Sequence, residues 1–123
     1  MLSIVIPTLN EEKNITRLLG QITSQEIGDD FEIIVADAGS KDRTREVAQS
    51  FGARIVQGGL PARGRNEGAK NAKGDIILFF DADIELSPDL VKKSLEEFKK
   101  RNLDVASYSI YPQINNFYLN TLS

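Results

Sequence analysis

Apolar positions along the chain follow two alternating rhythms, short continuous runs and runs spaced by three or four. Leu2 to Ile6 is a β-branched run closed by Pro7 and predicts a first strand. Asn10 then offers a cap for a helix whose apolar residues Ile15, Leu18, Leu19 and Ile22 recur at helical spacing. Gly28-Asp29-Asp30 predicts a turn, and Phe31 to Ala36 a second buried strand. Ser40 to Asp42 offers the next cap, Thr44, Val47, Ala48 and Phe51 a helix face, and Gly52 its stop. A short strand over Ala53 to Val56 precedes the loop Gly58-Gly59-Leu60-Pro61 and a small-residue helix from about Ala62 to Ala72, closed by Gly74. The run from Asp75 to Phe80 is apolar after its first residue and ends on Asp81 and Asp83, as expected for a strand buried on both faces. Ser87 and Pro88 mark a helix start, with Leu90, Val91, Leu95 and Phe98 facing inward. A last strand is predicted over Val105 to Ile110, ending at Tyr111-Pro112, and Gln113 to Ser123 carries no pattern.

Strand and helix alternate throughout, which predicts a three-layer α/β/α fold with a mostly parallel sheet and right-handed crossovers. Residues 1–112 then form the domain, and 113–123 a tail, read as the start of an acceptor-side or membrane-proximal segment. Three polar clusters follow strands: Pro7 to Glu12, Asp37 to Ser40, and Asp81 to Asp83. In a parallel sheet these strand ends share one edge, where open α/β folds bind ligands.

Composition narrows the chemistry. The chain of 123 residues is 41% hydrophobic and 27% charged, which suits one ordinary globular domain. A net charge of -3 leaves no basic footprint for nucleic acid. There is no cysteine and no histidine, so a general acid or base must be a carboxylate, Lys or Tyr, and a metal must be held by oxygen. No membrane span or signal peptide is read, and the expected location is cytoplasmic, with the cytoplasmic membrane face as a variant. Neither Gly-x-x-x-x-Gly-Lys-Ser/Thr nor a Gly-x-Gly-x-x-Gly after the first strand is present, which disfavours P-loop and dinucleotide enzymes.

Four motifs in order carry a resemblance: Ile4 to Glu11, Val35 to Thr44, Ala62 to Gly68, and Phe80 to Asp83. Together they resemble the family 2 glycosyltransferases. The resemblance implies the GT-A fold, a nucleotide-diphospho-sugar donor with uridine as the first guess, and a divalent cation, Mn2+ or Mg2+. It implies that Pro7, Thr8 and Glu11 line the base and ribose pocket and that Asp37 accepts from the base imide N–H. Arg65, with Arg63 nearby, is implied at the base or phosphates, Asp81 near ribose and metal, and Asp83 on the metal. Inverting transfer to a saccharide, lipid or protein acceptor is the implied reaction. Two departures are visible. Ala38 stands where many relatives carry a second acid, and nothing after Leu103 resembles the acceptor-side segment that supplies the base. A truncated member whose catalytic base lies outside this chain is therefore expected.

Alternatives stand beside these readings. Asp37 could cap the following turn, Thr8 and Asn10 could be turn and cap residues, and Arg63 and Arg65 could form a solvated helix face. Asp42 reads as a helix-start residue and Glu85 as a surface acid. The lysines around positions 92 and 99 read as a solvated helix end, with contact to an anionic membrane as the minor reading. At the level of function, the enzyme competes with a nucleotide-sugar-binding half-domain without catalysis. A nucleotidyltransferase is weaker, because the loop after the first strand is acidic.

Overall fold

A computed structural model describes residues 1–101, 105–107 and 117–121. Six strands form one sheet in the order β3-β2-β1-β4-β6-β5. The strands are β1 (Leu2–Thr8), β2 (Phe31–Asp37), β3 (Arg54–Gln57), β4 (Ile76–Phe80), β5 (Val105–Ser107) and β6 (Phe117–Thr121). The helices are α1 (Glu12–Thr23), α2 (Thr44–Ser50), α3 (Pro61–Asn71) and α4 (Leu90–Arg101). Strands β1 to β4 are mutually parallel, whereas β6 runs antiparallel to both β4 and β5. The sheet is thus mostly parallel, as the alternation predicts.

Period-two side-chain alternation splits the core into two layers. Leu2, Ile4 and Ile6 of β1 point to the face covered by α1, α2 and α4, where they join Leu18, Leu19, Ala48, Val91 and Phe98. Val5, Ile34 and Ile77 point to the opposite face, against Ala69 and Ala72 at the end of α3. Two layers of helix on one sheet give the three-layer architecture. Helix α3 can sit close to the sheet because its inward residues are Gly64 and Gly68, one turn apart. A Cβ at Gly68 would come within 2.2 Å of Val5 Cγ1.

Strand β1 is the element on which the binding edge depends. Its ladder with β2 continues to Thr8 and Asp37, but its ladder with β4 stops at Val5 and Phe79. Pro7 lies inside the strand, not at its end as predicted, because its missing N–H falls on the β4 side beyond the last paired residue. The two central strands therefore part at their carboxyl ends, at the point where successive crossovers run to opposite sides.

Two further expectations change. Asn10 does not cap α1 by its side chain. It adopts a left-handed conformation at φ 52 and accepts from the Lys41 N–H instead, at 2.8 Å. The tail, patternless in sequence, contributes β6, whose Phe117 pairs with Phe80 in register. An antiparallel neighbour needs no crossover helix, so no helical periodicity announces it. Of the predicted last strand, Val105 to Ser107 form β5, and positions 108–110 lie outside the described residues. The lysines of α4 are exposed, and two are paired, Lys93 with Asp89 at 2.8 Å and Lys99 with Asp29 at 3.9 Å. Among the described residues no helix is long and apolar enough to cross a membrane.

Candidate functional site

The parting of β1 and β4 opens a cavity of about 600 Å3 at the carboxyl edge of the sheet. Pro7, Thr8, Leu9 and Glu11 line it from the end of β1, and Ala38 from β2. Gly59, Leu60, Pro61 and Arg65 line it from the start of α3, and Asp81, Ala82 and Asp83 from β4. Pro7, Thr8, Glu11, Arg65, Asp81 and Asp83 line this space, whereas Asp37 and Arg63, also implied at the donor, do not.

After the ladder ends, a turn runs from Asp81 to Ile84, closed by the Ile84 amide donating to the Asp81 carbonyl. Ala82, Ile84 and Leu86 are buried in the core, whereas Asp83 and Glu85 are exposed and Asp81 is half-buried. Burying the apolar residues of this segment leaves both Asp81 and Asp83 lining the cavity. Arg65 Nη1 stands 3.9 Å from Asp81 Oδ1, with both side chains about one-third exposed. Burial pushes the Asp81 carboxyl above its ordinary range; the Arg65 charge opposes this and the Asp83 charge adds to it. A cation between the two acids would relieve both the burial cost and the like-charge repulsion. Among the described residues no three His, Cys, Asp or Glu side chains converge to hold a metal. Two carboxylates with the remaining oxygens drawn from ligand and water nevertheless suit Mg2+ or Mn2+, which are commonly held by one or two carboxylates plus phosphate.

Asp37 has a different place from the one implied. It is 2% exposed and lies beneath the cavity. Its Oδ1 accepts from the hydroxyls of Thr8 at 2.8 Å and Ser40 at 2.5 Å, and its Oδ2 from the amides of Gly39 at 3.1 Å and Ser40 at 2.8 Å. Arg45 Nε approaches Oδ2 at 3.7 Å from outside. Burial pushes this carboxyl up, but the Ser40, Thr8 and Gly39 hydrogen bonds outweigh it and hold it below the ordinary range. The carboxylate thus fastens the turn after β2 to the end of β1, and the residue that reaches the cavity is Ala38. Both sequence readings of Asp37 concern its acceptor capacity, and the structure spends that capacity internally.

The other singled-out residues sort as follows. Thr8 is buried with its hydroxyl committed to Asp37, so it offers the cavity an accepting oxygen and its methyl group. Glu11 accepts from Asn14 Nδ2 at 2.8 Å. Arg63 is exposed and does not line the cavity; its stem lies over Gly59. Asp42 acts at the helix starts, accepting from the Thr44 amide at 3.0 Å and from the Glu12 amide at 3.2 Å. Leu9 and Leu60, exposed apolar residues lining the cavity (53% and 82%), complete the site. Their signal in the sequence is a leucine set within a loop, Leu9 among the polar residues after β1 and Leu60 between Gly59 and Pro61.

The chain is similar to known proteins in sequence and in fold. The Glycosyl transferase family 2 model matches residues 3–123, so the match extends past Leu103 to the last residue. The uncharacterized glycosyltransferase YfnE of Bacillus subtilis is 34% identical over 94% of this chain and 31% of its own length. The structure of Staphylococcus aureus TarS in complex with UDP-GlcNAc aligns at a TM-score of 0.73 and 28% identity, covering 85% of this chain and 32% of that one. Glucosyl-3-phosphoglycerate synthase from Mycobacterium tuberculosis, in complex with Mn2+, UDP and glucosyl-3-phosphoglycerate, aligns at 0.58 and 30% identity, over 69% of this chain and 34% of that one. The chain spans about a third of the length of these proteins. With this fold, GT-A, and these motifs, the chain belongs to glycosyl transferase family 2.

Proposed function

We propose that the cavity binds a nucleoside diphosphate sugar, UDP-linked, with Mn2+ or Mg2+, and serves transfer of the sugar to an acceptor with inversion. The observation that carries this reading is the meeting of Pro7, Thr8, Glu11, Arg65, Asp81 and Asp83, from three separate sequence regions, around one cavity. TarS with UDP-GlcNAc and the mycobacterial synthase with Mn2+ and UDP support the donor class and the metal.

Asp81 and Asp83 would hold the cation, whose charge offsets the negative charge that builds on the departing diphosphate. Arg65, beside Asp81, adds a fixed positive charge on the same side. Pro7, Thr8, Leu9, Ala38 and Leu60 form the less polar part of the lining, suited to the flat faces of a nucleobase. Neither metal acid is free to activate an acceptor, so the base is assigned outside the donor cavity.

Because the chain covers about a third of its relatives, a second reading has an observation behind it: a donor-binding unit that does not turn over alone. One experiment tests both. UDP and UDP-GlcNAc are titrated into the protein with and without Mn2+, then into Asp83→Ala, while UDP release is followed with acceptors present. Metal-stimulated binding that Asp83→Ala abolishes is expected. Binding that ignores metal and survives the substitution would sink the site assignment. Tight metal-dependent binding without turnover would leave the half-domain.

A further inference from the structure

Beyond β4 the chain leaves the sheet, so the Asp83 backbone is not fixed by strand pairing. Within this turn the Ile84 amide donates to the Asp81 carbonyl, at a long 3.3 Å. Further support comes from α1. Arg17 Nη2 donates to the carbonyl of Ala82 at 3.4 Å and to that of Ile84 at 3.0 Å, and Arg17 Nη1 pairs with Glu85 Oε1 at 3.3 Å. One turn on, Gln21 Oε1 accepts from the Leu86 amide at 2.9 Å. Gln25, just past the helix end, donates to the Ser87 carbonyl and accepts from the Val91 amide, each at 2.9 Å. Positions 17, 21 and 25 thus form a polar ladder at one-turn spacing that holds the chain from Ala82 to Val91.

We propose that Arg17 is a positioning residue for Asp83. The two carbonyls it grips are those immediately before and after Asp83, so they bracket the side chain that would meet the cation. Arg17 Nε is buried without a hydrogen-bond partner, which indicates that the guanidinium is held for its outer nitrogens. Their fork serves both carbonyls and Glu85 together, a geometry that the single point charge of lysine does not reproduce. Asp83 itself is exposed and belongs to no ladder, so a fixed backbone is what limits its wandering. Residues behind metal ligands commonly change metal affinity by about 10–100-fold.

The metal half of this inference rests on the donor-site reading; the positioning half does not. Two measurements separate them. Hydrogen exchange of ligand-free protein, read on peptides covering 82–86, is expected to speed up several-fold in Arg17→Ala while exchange in β1 and β2 stays as in wild type. Titration of Mn2+ at fixed UDP is expected to show about tenfold weaker apparent metal affinity, with UDP binding in chelator unchanged. Arg17→Lys is expected to fall between wild type and Arg17→Ala in both, and it carries the same tests if Arg17→Ala does not fold. Exchange equal to wild type overturns the positioning role, and overlaid Mn2+ curves overturn its link to the metal. If wild type shows no Mn2+-stimulated UDP binding, the donor reading falls and the exchange result still decides Arg17.

Discussion

Asp37 ends β2 and Asp81 follows β4, the two strands that flank β1, yet their surroundings push them in opposite directions. Asp37 is held below the ordinary carboxylate range because hydrogen-bond donors outweigh burial. Its ionised form therefore stabilises the fold above the unfolded value of about 3.9, and that stability is lost as pH falls through the lower folded value. Asp37→Asn places an amide donor among four donors, and an unfolding free energy lower by about 1–3 kcal/mol is expected in urea titrations at neutral pH. Asp81 is raised, chiefly by burial. The folded state then prefers its protonated form, so ionisation costs stability as pH rises from the unfolded value through the folded one. Asp81→Asn is accordingly expected to leave the melting temperature at pH 7 equal or higher while removing Mn2+-stimulated UDP binding. A fall in melting temperature would show that the Arg65 pair outweighs the burial cost. Asp81 and Asp83 were legible in the sequence because a buried strand has to end at the rim of its sheet, and carboxylates that close an apolar run mark that rim. The role of Asp37 was not, since a motif position says nothing about whether a carboxylate looks into a crevice or beneath it.

Among the elements, α3 shows how composition becomes distance. Its glycines let the helix backbone approach β1, and that approach carries Arg65 to the rim beside Asp81. Gly68→Ala drives a methyl against Val5, and a loss of about 1–3 kcal/mol is expected from overpacking. Trimming the partner as well, Val5→Ala with Gly68→Ala, is expected to recover part of that loss in a double-mutant cycle. Equal losses in single and double variants would place the strain elsewhere. The starts of α1 and α2 are tied by side chains exchanged between them: the Glu11 amide donates to Thr44 Oγ1 at 2.9 Å and the Arg43 amide to Glu12 Oε1 at 3.0 Å. The spacing of apolar residues announced each of these helices to within a few positions. Their polar faces were unreadable, because Arg17 and Gln21 look like a solvated face until the distant backbone groups they hold are known.

At the level of the whole molecule, β6 covers the edge of β4, an apolar strand that would otherwise present an open row of hydrogen-bonding groups. A variant ending at Pro112 is expected to associate in size-exclusion chromatography at concentrations where the full chain elutes as a smaller species. Unchanged elution would mean that β4 is guarded by other means. The order of strands also has a consequence in time. β1 is first along the chain, yet it lies inside the sheet, with β2 on one side and β4 on the other. Its partner Ile76 is synthesised about seventy residues after Leu2, a wait of about 4–15 s at ~5–20 residues per second. For those seconds the run Leu2 to Ile6 can have at most one of its neighbours, so newly made chains are most open to misassembly, and to help from chaperones, before β4 emerges.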